Sequence, residues 1–230
     1  MIEGFTRMIR CVVFDFDGTL VDSNEIKRET FFTISRPWDP SGMVVAEVFE
    51  RWPAADRYEK TYKIAEELIS RSLLPKDSSV NQWAARLASE YTTQCESAIA
   101  SCAEIPGASQ SLSELADNGY LLFVNSATPG EPLRQLLKLR DWDHFFQDVY
   151  GSEASKADNL RTIALKTGTA PAEIVHIGDQ ADDLQGTEQF GCHFVAMAVD
   201  NMSLAEKSLF VIQDLSALPE ILTKLNQEKV

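Results

Sequence analysis

Short runs of β-branched and aromatic residues recur along the chain at Ile9 to Phe14, Leu121 to Asn125, Phe146 to Tyr150, Ile174 to Ile177, His193 to Met197 and Leu209 to Ile212. They are short and mostly apolar throughout, the pattern of strands buried on both faces. Between the later runs lie amphipathic stretches with readable ends. SQSLSELADNG closes on Gly119, and SKADNLRTIALKTG opens on Ser155, whose hydroxyl can cap a helix, and closes on Gly168. Strands alternating with helices predict a parallel sheet covered on both sides. Right-handed crossovers then make it a doubly wound α/β sheet, with reactive groups at the carboxyl ends of its strands.

The alternation fails once. From Val21 to Ile105 no strand pattern stands out, and helical patterns occupy NEIKRETFFTI, RYEKTYKIAEELISR and SVNQWAARLASEYTTQCESAIAS, separated by the loop signals SRPWDPSG and LLPKDSS. A helical domain over 21–105 is expected, inserted into an α/β core formed by 1–20 and 106–230. Trp38, Trp52 and Trp83 are expected to build the core of the insertion.

Composition narrows the class without changing this picture. With 44% apolar and 24% charged residues in 230, the chain has the make-up of a globular protein. No apolar run approaches the roughly 20 residues that span a bilayer, and the start MIEGFTRMIRC lacks a long apolar stretch or a small-residue cleavage site, so a cytoplasmic protein is expected. Cys11, Cys95, Cys102 and Cys192 form no CxxC pair and the histidines have no zinc spacing, so the cysteines read as small buried hydrophobes. A net charge of −14 argues against nucleic-acid and anionic-membrane partners. The acidity is uneven: 10 basic and 14 acidic residues fall within 21–105, against 11 and 21 elsewhere.

The first strand runs into VVFDFDGTLVDS. Val12, Val13 and Phe14 bury the strand, after which Asp15 and Asp17, two positions apart, leave its end on the same side; Gly18 and Thr19 follow in a tight turn. Two carboxylates this close cannot both ionise cheaply, so either one keeps a proton or a cation sits between them. Both outcomes suit phosphoryl transfer.

This motif and three that follow in order resemble those of the haloacid dehalogenase-like superfamily, most of whose members are magnesium-dependent phosphatases acting through an aspartyl-phosphate. The likeness covers nearly the whole chain and extends to phosphoglycolate phosphatase and β-phosphoglucomutase types. It implies a doubly wound, Rossmann-like sheet with an α-helical cap inserted between the first two motifs. In FDFDGTLVDS it makes Asp15 the nucleophile, Asp17 the general acid and base, and Gly18 part of the phosphate-binding turn. In LLFVNSATP it makes Ser126 a hydrogen-bond donor to a phosphoryl oxygen, with the N–H groups of the following helix, PGEPLRQLLKLR, sharing the anion. In VYGSEASKADNL, Lys156 becomes the family lysine, an ammonium that offsets the carboxylates and draws charge from the phosphoryl group. In IVHIGDQADDL, Asp179 becomes a Mg2+ ligand with Asp15 and the carbonyl of Asp17, and Asp183 the second acid of the metal site, holding a metal-bound water or Lys156. Gln180 departs from the serine common at that place, which bears on the outer shell of the metal. Asp182 reads as a solvated acid and His176 as a packed strand histidine.

Within the insertion, AADRYEKTYKI and DSNEIK resemble a little-characterised group of phosphatase-like members. Arg57 and Lys60, three apart on a helix, share a face and are expected, with Lys27, to meet an anionic substrate; an ordinary solvated face is the other reading. The expected activity is hydrolysis of a small-metabolite phosphomonoester by a monomer or weak homodimer. A sugar phosphomutase would use the same four motifs, and a non-catalytic phospholigand-binding relative is the alternative of another class. Asp17 argues against a haloacid dehalogenase, which has no leaving alkoxide to protonate; a phosphonatase would need a Schiff-base lysine such as Lys27 or Lys60.

Overall fold

In the computed structural model, described for residues 8–53, 55–75, 77–197 and 202–227, the chain divides into two compact units: Asn24–Ser101, and the described residues on either side of it. The inner unit holds four helices, α1 (Asn24–Ser35), α2 (Met43–Arg51), α3 (Arg57–Ser70) and α4 (Val80–Ala100). The sequence pattern anticipates α1, α3 and α4; α2 is new. Its start comes from Asp39, whose carboxylate accepts the N–H groups of Met43 (3.1 Å), Val44 (2.9 Å) and Val45 (3.3 Å). That cap supplies what a valine-rich stretch of low helix propensity lacks. Phe31, Ile34, Val48, Ile64, Leu68 and Leu87 form the buried faces. The ring of Phe31 lies 4.4 Å from Tyr91 and 5.3 Å from Phe49. The tryptophans roof this core instead of filling it. Half-buried Trp38 and Trp83 meet edge-on at 4.8 Å with the Arg86 guanidinium over both, and half-buried Trp52 lies under Arg51 and Lys63.

The outer unit is built on six parallel strands: β1 (Cys11–Phe14), β2 (Leu121–Asn125), β3 (Asp148–Tyr150), β4 (Ile174–Gly178), β5 (His193–Met197) and β6 (Phe210–Ile212), in spatial order β3-β2-β1-β4-β5-β6. Its helices are α5 (Ala108–Asp117), α6 (Gly130–Leu139), α7 (Lys156–Thr167), α8 (Ala181–Phe190), α9 (Met202–Lys207) and α10 (Leu218–Gln227). The expected capping is realised on α7: Ser155 Oγ accepts the N–H of Asp158 at 3.1 Å, and Gly168 ends the helix at φ 65°. Central β1 is wholly buried, and Phe14 pairs with Val124 on one side and Ile177 on the other. The chain therefore leaves β1 toward β2 in one direction and reaches β4 in the other, and the strand order reverses at β1. In such sheets a crevice opens there, outside the carboxyl ends of the strands.

Two smaller features complete this unit. Cys11 on β1 and Cys192, just ahead of β5, are both free thiols. Burial pushes both thiols up to about 12, so neither is a nucleophile at neutral pH. The segments entering and leaving the helical unit run side by side, joined by Ile105 N–H to Leu20 O and Asp22 N–H to Ala103 O, both 3.0 Å. Among the described residues no helix is long and apolar enough to cross a membrane.

Candidate active site

Asp15 is the first residue past β1, and its N–H donates to Ile177 O of β4 at 2.8 Å. The sheet itself thus fixes the carboxylate over the crevice, where its Oδ1 accepts the N–H of Phe16 at 2.7 Å. The chain then turns sharply: Gly18 takes φ 75°, and Leu20 and Val21 both donate back to Phe16 O. The turn brings Asp17 into the same buried space. Hydroxyls donate to both of its oxygens, Ser23 to Oδ1 (2.6 Å) and Thr128 to Oδ2 (2.8 Å). A hydroxyl can donate to a carboxylate or accept from a carboxylic acid, so either protonation state of Asp17 is accommodated.

Lys156, the first residue of α7, places its ammonium among Asp15 Oδ1 (3.0 Å), Asp183 Oδ1 (2.6 Å) and the main-chain oxygen of Asn125 (2.6 Å). Burial, the largest single influence, works to lower the lysine pKa, but Asp15 and Asp183 outweigh it and hold Lys156 above its ordinary value. On Asp15 burial, the largest influence, outweighs the lysine and neighbouring Asp17 adds to it, so the carboxyl stands above the usual aspartate value. Asp183 is fully buried, with Oδ2 accepting the N–H of Gln180 at 3.1 Å. Two glycines make this packing possible. A Cβ on Gly178 would lie 2.3 Å from Asp183 Cγ, and one on Gly186 would lie 2.5 Å from Lys156 Cβ. Behind Asp183, fully buried His176 has Nδ1 3.0 Å from Thr187 Oγ1 and Nε2 3.6 Å from Asp183 Oδ1. Burial first, then Lys156, drives its pKa well below the usual histidine value, so it is neutral.

Asp179 leaves β4 as Asp15 leaves β1. Gln180, flagged by its departure from serine, donates from Nε2 to Asp179 Oδ2 at 2.5 Å, and Thr19 Oγ1 lies 3.4 Å from Oδ1. Oxygens of Asp15, Asp179 and Asp183 lie within 4.8 Å of one another. Asp15, Asp17, Asp179 and Asp183 thus bring four buried carboxylates to one crevice, and Lys156 brings one ammonium. An all-oxygen donor set with this excess of negative charge fits a hard divalent cation.

Ser126 sits at the end of β2 with its N–H on Tyr150 O (2.9 Å) and its Oγ accepting the N–H of Thr128 (3.2 Å). With Lys156, Asp182 and Gln185 it lines a cleft of about 390 Å³; Asp182 is exposed, as a solvated acid should be. Two expected anion donors are otherwise engaged. The N–H of Gly18 donates to Val21 O at 2.8 Å, so this glycine serves the turn. At the start of α6, Gly130 N–H donates to Glu153 Oε1 at 2.8 Å.

In the helical unit, Arg57 and Lys60 have different surroundings. Lys60 is buried, its ammonium donating to Pro53 O (3.2 Å) and Ala55 O and lying 5.2 Å from the centre of the Phe49 ring. It closes the turn ahead of α3. Arg57 lies along Tyr58, 4.9 Å from the ring centre, and Lys27 is half-buried on α1. Sequence reasoning missed Ser23, Thr128, Asn125, Asn159, Glu153 and Gly186. Asn125 carries a signal, a polar residue ending an apolar strand run; Asn159 stands one helical turn after Lys156.

Known proteins resemble this chain in sequence or in fold. Over 222 residues the chain is 26% identical to a 5'-nucleotidase of Pseudomonas aeruginosa, covering 92% of this chain and 94% of that one. A phosphoglycolate phosphatase of Aliivibrio fischeri is 26% identical, covering 82% and 84%. Among solved structures, a predicted phosphoglycolate phosphatase from Haemophilus somnus superposes with a TM-score of 0.74 at 18% identity, covering 93% of this chain and 97% of that one. CbbY from Rhodobacter sphaeroides, in complex with xylulose-(1,5)bisphosphate, gives 0.67 at 16%, covering 92% and 96%; both likenesses are of fold. The sequence model of the haloacid dehalogenase-like hydrolases matches residues 12–197, most of the chain and all four of its motifs, and the chain belongs to that family.

Proposed function

We propose that this hydrolase is a phosphatase that cleaves a small phosphomonoester through an aspartyl-phosphate on Asp15, with a divalent cation, Mg2+ by the hardness of its donors, as cofactor. The observation that carries the reading is the contrast between the two paired carboxylates: Asp15 lies 3.0 Å from an ammonium, and Asp17 is held by hydroxyls. The ammonium favours the ionised form of the nucleophile against the burial that pushes its carboxyl upward, and the hydroxyls can serve either protonation state of the acid and base. The names of the sequence relatives, phosphoglycolate phosphatase and 5'-nucleotidase, support a phosphomonoester as substrate.

Asp15 and Asp179, with the carbonyl of Asp17, would hold the cation, and Asp183 holds Lys156 in place of binding metal directly. When bound, Mg2+ neutralises carboxylate charge and polarises a phosphoryl oxygen. Asp15 attacks phosphorus, the bond from phosphorus to the ester oxygen breaks, and protonated Asp17 delivers its proton to that oxygen. Asp17, now ionised, takes a proton from water as the water attacks phosphorus. The bond to Asp15 breaks, and phosphate leaves with Asp17 protonated again. Ser126 and Lys156 bind and orient the phosphoryl oxygens throughout.

The test is inorganic phosphate release from phosphoglycolate, nucleoside 5'-monophosphates, sugar phosphates and an aryl phosphate, with Mg2+ and with a chelator. Release that needs metal and disappears in Asp15→Asn is expected. Release from none of the four classes overturns the reading, and undiminished release by Asp15→Asn overturns the nucleophile.

A further inference from the structure

We propose that a buried pair of amides, Asn125 and Asn159, is the positioning device for Lys156. This rests on the reading of Lys156 as the ammonium that meets the phosphoryl group. Asn159 Nδ2 donates to Gly151 O at 3.0 Å and to Asn125 Oδ1 at 2.9 Å, and Asn125 Nδ2 donates to the main-chain oxygen of Lys156 at 3.1 Å. The orientation of both amides is forced. A main-chain carbonyl only accepts, so the Asn159 atom facing Gly151 O is nitrogen, and the Asn125 atom facing it in turn is oxygen. The other end of Asn125 is then nitrogen, matching the carbonyl of Lys156. Asn159 spends both amide hydrogens, and Asn125 is fully buried.

The geometry grips the lysine at two points. Asn125 holds the Lys156 backbone with its side chain and accepts the Lys156 ammonium on its own main-chain oxygen at 2.6 Å. It is also the residue before Ser126, so one clamp spanning the ends of β2 and β3 and the start of α7 sets where the hydroxyl and the ammonium stand relative to each other. An aspartate at 125 could not donate to Lys156 O, and a leucine at 159 would leave Asn125 free to turn. Asn125 and Asn159 are positioning residues, since their amides bond each other and main-chain oxygens.

A mutant cycle separates this role from a general contribution to folding. Asn159→Leu, or Asn159→Ala should the leucine variant not fold, is combined with Lys156→Met, and kcat/KM for an aryl phosphate is measured for all four proteins. Asn159→Leu is expected to lose at least thirtyfold in the presence of Lys156 and less than threefold in its absence; equal losses in both backgrounds overturn the clamp. The ammonium resonance of Lys156 in nitrogen-labelled protein supplies a readout without turnover. A slowly exchanging signal in the parent protein that is lost in the Asn159 variant supports the clamp, and an unchanged signal overturns it. An inactive parent protein would sink the phosphatase reading alone, and the resonance would still decide this one.

Discussion

Replacing Gly186 by alanine should separate stability from activity. Gly186 lies inside α8, where alanine is favoured over glycine by about 1 kcal/mol. The added Cβ, however, would stand 2.5 Å from Lys156 Cβ and 3.2 Å from Ala157 N. Ordinary carbon contacts are about 3.5–4.0 Å, so α7 and α8 must part by roughly 1 Å at Lys156. Overpacking of this kind costs about 1–3 kcal/mol, which the helix gain offsets in part, leaving a net loss of about 1 kcal/mol and a fall in Tm of roughly 3 °C. The stem that must yield carries the ammonium, and a misplacement of about 1 Å at a reacting centre can cost about 10²-fold in rate. Gly191→Ala is the matched control. It ends the same helix at φ 88° with open space around it, so a side chain there costs about 1–2 kcal/mol in backbone strain and touches nothing. Urea unfolding and steady-state phosphate release should show two similarly destabilised proteins, one slowed about 10²-fold and one fully active. A Gly186→Ala protein more stable than its parent and within twofold of its activity would refute the argument that this contact sets the position of Lys156.

Further expectations follow from the buried charges. Lys156→Met leaves Asp15 and Asp183 facing each other without the ammonium, which should cost about 3–5 kcal/mol in urea unfolding at neutral pH with a chelator present; a loss below about 1 kcal/mol would contradict the ion-pair geometry. His176 is held neutral in the fold and titrates normally when unfolded, so the unfolded chain binds the extra proton as pH falls below about 6.5. Stability should therefore decline toward pH 5 by up to about 1.4 kcal/mol per pH unit, and His176→Gln should flatten that slope; parallel slopes would count against it. Asp17→Asn should slow alkyl phosphates about 10²–10⁴-fold and aryl phosphates much less, and equal losses would remove Asp17 as proton donor.

Much of the outer unit was legible because its signals are local. Apolar runs bounded by turns mark all six strands, and Ser155 and Gly168 mark the ends of α7 by chemistry that acts within one turn. Asp15 and Asp179 stand out because each directly follows an apolar strand, Asp17 because it stands two positions from Asp15, and Lys156 because it opens a helix, where a positive charge is otherwise unfavourable. What escaped depends on distance along the chain. Asn125 meets residues 31 and 34 positions away, Thr128 reaches Asp17 across 111, and Glu153 occupies the start of α6 from 23 positions on. No spacing rule anticipates such pairs. Helix α2 was hidden because its cap, Asp39, stands five and six residues ahead of Val44 and Val45, a pair that reads ambiguously. Lys60 reads as a surface cation at helical spacing, yet it folds back onto the carbonyls of Pro53 and Ala55 in the turn before α3.

The central claim is that phosphorus passes through Asp15. It is tested most directly by mixing Asp17→Asn enzyme with an aryl phosphate carrying a labelled phosphoryl group, quenching in acid and mapping the label by peptide. Good leaving groups should still load Asp15 while loss of the base slows hydrolysis, so the account predicts label on the peptide containing Asp15 and none when Asp15→Asn is added. Label on any other peptide, or phosphate released by Asp15→Asn at the parent rate, would contradict it.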